Sequence, residues 1–229
     1  MIVVGEGPTE ERFINTVLCP ELVVAGIFPR PVLINTSTRN KGGSLSRKRV
    51  LRFLRNTLRH GTDTYVTTFF DLYGLRSDFP GKLQSANITD PLAKAEAIEQ
   101  EFHSEVIRDA GCRADRFFAH IQPYEFEALL FSGTSHFGAF ETRWRPFVDQ
   151  LHAIRSKSAS PEHINDGIET HPYARLDALL KPRYGKILHG PALASHIGLK
   201  RIRSECAHFN RWLERIESLA PLQRHKSPS

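Results

Sequence analysis

Two acidic residues stand where an apolar run stops, and that position gives them chemistry to do. Ile2-Val3-Val4 leads into Gly5-Glu6-Gly7, and the run from Tyr65 to Phe70 leads into Asp71. Each run reads as a buried strand ending on a carboxylate. In an open α/β sheet, ligands bind in the crevice outside the carboxyl ends of the strands. Two carboxylates held there, remote in sequence and near in space, offer the hard oxygen ligands that Mg²⁺ or Mn²⁺ takes. Asp71 follows a strand that is apolar apart from two threonines. A partly desolvated carboxylate is costly there unless a cation or hydrogen-bond donors compensate it.

Other acids gather around the same points. Glu10 and Glu11 fall in the first turn of a helix opened by Pro8, where the helix dipole favours negative charge on its own account. Glu10 is one turn beyond Glu6 and is placed to reach the same ion. The segment Gln122 to Glu127 again puts acids after a strand. On a helix, residues two apart point in different directions. One of Glu125 and Glu127 is therefore expected to face the crevice, and Glu125, nearer the strand end, is taken as that one.

Other chemistries lack their residues. The eleven histidines form no H-x-x-x-H pair and read as surface residues, apart from His120 within a strand. There is no Walker lysine motif, no G-x-G-x-x-G and no G-x-S-x-G. The Gly5-Glu6-Gly7 turn sets an acid where a phosphate cradle needs backbone N–H groups alone. Cys19, Cys112 and Cys206 are an odd, widely spaced set, which argues for structural thiols in a reducing compartment and against structural zinc.

The elements that must hold the acids follow from periodicity. Strands are expected over 2–4, Pro31 to Ile34, Tyr65 to Phe70 and Phe117 to Ile121. A helix with Phe13, Ile14, Val17 and Leu18 on one face meets Pro20, which should break or restart it. A basic helix carrying Val50, Leu51, Leu54 and Leu58 ends at Gly61. Asp90 caps a helix with Pro91 at its first position, closed by Gly111. A further helix is expected over Tyr124 to Phe131. This β-α-β-α order implies a mostly parallel sheet flanked by helices. Beyond it, helices are expected over Trp144 to Ile154, Tyr173 to Leu180 and Ala192 to Ile197. A last helix carries Phe209, Leu213 and Ile216, with Ser204 as its cap. The expected organisation is an α/β domain over 1–132, a helical C-terminal extension over 133–222 packed on it, and a disordered tail over 223–229.

Length and charge bound the function. The chain has 229 residues, 40% apolar and 24% charged, with no apolar run that approaches a membrane span. A cytoplasmic protein is expected. A net charge of +6 permits contact with nucleic acid. Arg39, Lys41, Arg47 and Lys48, ahead of and within the basic helix, are the candidate phosphate contacts.

Taken together, the G-E-G-P-T-E turn after a first strand and a later strand ending in Asp resemble the Toprim (topoisomerase–primase) domain. The segments T-T-F-F-D-L-Y-G-L, Q-P-Y-E-F-E-A-L-L-F-S, P-E-H-I-N-D and I-G-L-K-R-I-R-S-E-C-A-H-F-N-R-W-L extend the likeness over residues 1 to 219. They resemble a bacterial domain-of-unknown-function family, number 4276, itself similar to Toprim domains and to the nucleases linked to overcoming-lysogenisation-defect ATPases. The resemblance implies a Toprim/Rossmann-like sheet and Mg²⁺ or Mn²⁺ held by Glu6 and Asp71, with Glu10 and Glu125 as supplementary ligands or positioners of the attacking water. It also implies cleavage of DNA or RNA, and an ABC/SMC-type partner ATPase in anti-phage defence. Tyr73 stands where that family has its second acid. The alternative is a non-catalytic Toprim fold that senses a ligand or regulates the ATPase. Homo-oligomers are compatible with either reading.

Overall fold

A computed structural model describes residues 1–34, 45–61, 63–165, 167 and 170–222. The chain begins with β1 (Ile2–Gly5), all four residues buried. The first helical stretch runs as α1 (Pro8–Phe13), widens into a π turn over Ile14–Leu18 and continues as α2 (Cys19–Val24). Pro20 neither breaks nor restarts it. The turn widens just before the proline, and the Cys19 N–H bonds the Ile14 carbonyl five residues back. Such a π turn absorbs the irregularity that a proline imposes on a helix.

β2 (Arg30–Leu33) and the basic helix α3 (Arg47–His60) come next, followed by β3 (Val66–Asp71) and a 3-10 turn over Leu72–Gly74. The long α4 (Pro91–Ala110) is capped by Asp90, whose side chain accepts from the Ala93 N–H, and is closed by Gly111 in the left-handed region at φ 64°. The strand expected over Phe117 to Ile121 is split into β4 (Phe117–Phe118) and β5 (Ile121–Gln122), both parallel to β3. The break has a local cause. The Thr68 hydroxyl accepts from the His120 N–H at 3.0 Å and lies 3.1 Å from the His120 carbonyl, so a side chain replaces ladder bonds there.

The sheet order is β2-β1-β3-β4, all parallel, with Gly5 opposite Phe69. Alternation along the strands sends side chains to two faces. Ile2, Val4, Val66 and Phe70 pack with Val50, Leu54, Ile98 and Phe102 from α3 and α4. Val3 and Phe69 pack on the opposite side with Phe13 and the C-terminal helices. Asp71 has the parity of Phe69 and so points to the C-terminal helices.

The helix expected over Tyr124 to Phe131 is not α-helical. Tyr124 has φ 60°, Glu125 is extended, and 3-10 turns run from Phe126 to His136. Then come α5 (Phe137–Phe140), a 3-10 run Thr142–Phe147, α6 (Val148–Ser156), α7 (Pro172–Leu179), α8 (Lys186–Ile197), α9 (Leu199–Glu205) and α10 (Ala207–Glu217). α8 starts six residues earlier than its apolar pattern suggests and packs on α1. Ser204 does not cap α10. It lies inside α9, and its hydroxyl donates to the Arg201 carbonyl. The first N–H groups of α10 are capped instead by the buried carboxylate of Glu162, which accepts from His208 N at 2.9 Å and Phe209 N at 3.0 Å. α10 docks through Trp212, whose ring N–H reaches Thr67 Oγ1 on β3 at 2.9 Å. The C-terminal helices thus share one apolar core with the sheet.

Candidate active site

Glu6 directly follows β1, and Asp71 is the last residue of its neighbour β3. The Asp71 N–H donates to Glu6 Oε1 at 2.7 Å. The Glu6 carboxylate lies against Gly74, where a Cβ would collide with it. Glu10 folds back so that its Oε2 accepts the Gly7 N–H at 2.8 Å, the acidic half of a capping box. Asp71 Oδ1 accepts the Phe126 N–H at 2.9 Å. Glu125 Oε1 takes the His171 ring at 2.8 Å and also the Tyr173 N–H. Glu127 is fully buried, and its Oε1 receives the Tyr184 hydroxyl at 3.3 Å.

A lysine faces these acids. Lys186, the first residue of α8, places Nζ 2.9 Å from Glu127 Oε2 and 3.7 Å from both Asp71 Oδ2 and Glu125 Oε2. In these three acids one oxygen is pinned by a protein donor and the other turns to the same ammonium. The contact with Glu127 has ion-pair distance without hydrogen-bond alignment, so its attraction is chiefly coulombic. Glu125 and Glu127 both reach Lys186, which corrects the expectation that only one faces the crevice. That expectation assumed a helix, and the extended backbone at Glu125 removes it.

Electrostatics follow from dryness and crowding. Burial, then the charge of Glu10, pushes Glu6 up to about 8. Burial raises Glu127 to about 7, against the pull of Lys186, and also raises Glu10 and Asp71. Burial works against the charge on Lys186, but Asp71, Glu127 and Glu125 outweigh it and hold the ammonium charged above its ordinary range. Carboxylates crowded this closely around one lysine favour the approach of a further cation.

Residues 5–217 match the domain-of-unknown-function family DUF4276. The chain belongs to that family. No curated protein and no solved structure matches this DUF4276 protein. Among the described residues no helix is long and apolar enough to cross a membrane.

The other expected site residues are dispersed. Arg39 and Lys41 lie outside the described residues. Arg47 is ion-paired with Glu105, and Lys48 is exposed on the first turn of α3. The segment before α3 is tied to the acid site, since the Leu45 N–H bonds the Gly74 carbonyl at 3.0 Å. Tyr73 keeps its ring against Tyr124 and edge-on to His171.

In this DUF4276 protein sequence reasoning missed Lys186, set Glu127 aside in favour of Glu125, and missed a second cluster. His208 Nε2 sits 2.8 Å from Glu99 Oε1, and His120 Nδ1 sits 3.8 Å from it. Among the described residues this is the set of three His, Cys, Asp or Glu side chains whose ligand atoms all lie within 4.8 Å of one another. The two imidazoles, however, stack at 5.1 Å with only 25° between their planes. Rings stacked face to face send their in-plane nitrogen lone pairs along nearly parallel lines rather than to one shared point, which disfavours a common ion. The cluster is a buried Glu99–His208 ion pair under His120. Burial opposes charge on His208, but Glu99 outweighs it and raises its pKa, while burial lowers that of His120.

The acid site sets a pH dependence whose sign is fixed. The carboxyls of Glu6 and Glu127 rise from 4.5 to about 8 and about 7, so the folded chain keeps protons that the unfolded chain has lost. The stability they contribute is full below pH 4.5 and is lost as pH climbs through those raised values. The readout is a difference between two proteins, so that contributions of other groups cancel. The melting temperature of Glu6→Gln should gain steadily on that of the unmodified protein between about pH 5 and pH 9 without divalent cation. A gap that stays constant would contradict the assignment.

Proposed function

We propose that this protein is a divalent-cation-dependent phosphodiesterase of Toprim type acting on nucleic acid, with Glu6 and Asp71 holding Mg²⁺ or Mn²⁺ and Glu10 beside them. The observation that carries the reading is the convergence of five acids at the carboxyl ends of β1, β3 and β5, three of them keeping one oxygen pinned and the other free to face a cation. The donor set is all oxygen and hard, as these ions require, and waters fill the positions that protein leaves open. When bound, such an ion polarises a phosphoryl oxygen and lowers the pKa of water.

The chain's own residues divide the remaining work. The Asp71 N–H locks Glu6 to Asp71 and fixes their separation. Glu125, held through Oε1 by His171 and Tyr173, keeps Oε2 to orient the attacking water and take its proton. Lys186 stays charged and is placed to meet a non-bridging phosphate oxygen. Tyr73, a neutral phenol near pH 7, does not replace the second acid of the Toprim pattern. Affinity for the ion therefore depends on oxygens that the substrate brings. The ABC/SMC-type partner ATPase and a role in anti-phage defence rest on the resemblance alone.

One observation favours a second reading. Lys186 already faces Asp71, Glu125 and Glu127, and an internal cation in this place suits a non-catalytic subunit that senses a ligand or regulates an ATPase. The deciding experiment incubates the purified protein, alone and with such an ATPase, with single- and double-stranded DNA and RNA in Mg²⁺, Mn²⁺ or EDTA. Cation-dependent cleavage that disappears in Glu6→Gln supports the enzyme. No cleavage under any combination supports the regulatory subunit.

A further inference from the structure

We propose that the cavity beside the acid site binds a nucleoside phosphate. The inference deepens the enzyme reading by naming its substrate class, and rests on that reading for the chemistry though not for the binding. The cavity measures about 400 Å³ and is lined by Leu72, Tyr73, Lys82, Lys94, Tyr124 and Asn165 among others. Pockets for small ligands run from ~300 to ~1,000 Å³.

Its chemistry is lopsided. Lys82 and Lys94 face the same space, and among the described residues neither has a carboxylate partner. Lys82 gives one hydrogen bond, to the Leu72 carbonyl at 2.8 Å. Two cations held together without an anion are relieved by a ligand that brings negative charge. The lining also includes two aromatic rings. Tyr73 is 45% exposed, its ring centroid lies 5.6 Å from that of Tyr124, and Asn165 donates to its hydroxyl and fixes the ring.

Tyr124 supplies a separate sign. A bulky residue at φ 60° is strained, and such strain persists where the surroundings impose it, commonly at binding sites. Here the unusual backbone has two results. It lets the Tyr124 carbonyl accept the Tyr73 N–H at 3.1 Å, joining the two aromatic residues. It also delivers the next residue, Glu125, to Lys186. The aromatic wall and the acid site are therefore two sides of one turn.

A flat ring against Tyr73 with a phosphate at Lys82 and Lys94 satisfies both the aromatic and the cationic lining. A base in a duplex remains stacked on its neighbours, so the ligand is a free nucleotide or an unpaired nucleotide of a single strand.

The test measures binding in EDTA with Glu6→Gln protein, so that neither a divalent ion nor cleavage contributes. The probes are a labelled oligothymidine and thymidine 5′-monophosphate. Lys94→Gln should weaken binding of the strand about tenfold at low salt and reduce the salt slope by about 1. Tyr73→Ala should weaken it about tenfold, whereas Tyr73→Phe, which keeps the stacking face and loses only the Asn165 contact, should weaken it by much less. Monophosphate binding as tight as that of the strand identifies a free nucleotide as ligand, and binding of the strand alone identifies a single strand. The proposal is overturned if neither probe binds, or if Lys94→Gln and Tyr73→Ala both bind like the parent. If these losses appear while no condition gives cleavage, the pocket stands and the enzyme reading falls. If cleavage depends on Glu6 while the pocket variants change nothing, the reverse holds.

Discussion

Replacing Lys186 by methionine should destabilise the protein by about 3–5 kcal/mol near pH 8, because breaking a buried ion pair from one side leaves the other side uncompensated. Glu127 is fully buried and Asp71 and Glu125 nearly so, and all three face the one ammonium. Methionine keeps the length and apolar stem of the side chain, so little of the loss comes from packing. The loss should shrink towards pH 5, where the raised carboxyls take protons and no longer need the lysine. Urea denaturation midpoints at the two pH values check this. A variant as stable as the parent near pH 8 would show that these acids are not held together as ions.

Glu6→Gln should act in the opposite direction on stability while removing function. The amide keeps the shape of the side chain, and its oxygen can still accept the Asp71 N–H. It deletes a carboxyl whose pKa is pushed to about 8 by burial and Glu10, so the metal-free protein should gain up to a few kcal/mol above that pH. Cation-dependent cleavage should fall at least ~100-fold, since an ion at such a site supplies several kcal/mol of transition-state stabilisation. A variant that is both more stable and inactive separates a catalytic role from a structural one. Loss of activity together with loss of stability would point to a folding role for Glu6.

The positions of Glu6 and Asp71 were legible because the information is local: an apolar strand followed by an acid at its carboxyl end, twice. The helix caps at Asp90 and Gly111 were legible for the same reason. What the sequence hid is non-local or depends on unusual backbone. Lys186 lies in a stretch with weak periodicity, and only the packing of α8 on α1 brings its ammonium to the strand ends. Glu127 was set aside because a helix was assumed where Tyr124 takes a left-handed turn. Thr68 splits the fourth strand through its side chain. Glu162 caps α10 from far away along the chain, so a local cap was sought at Ser204. His208 is buried by Glu99 on another helix, and no histidine spacing announces that.

Whether Glu6 and Asp71 hold a divalent cation is decided by calorimetric titration of Mn²⁺ into the isolated protein near pH 8. The parent protein should show one weak site, tightened by a non-cleavable oligonucleotide that adds phosphate oxygens, and Asp71→Asn should show none with or without the oligonucleotide. A site that persists unchanged in Asp71→Asn, or no binding by the parent even with the oligonucleotide, would contradict that assignment.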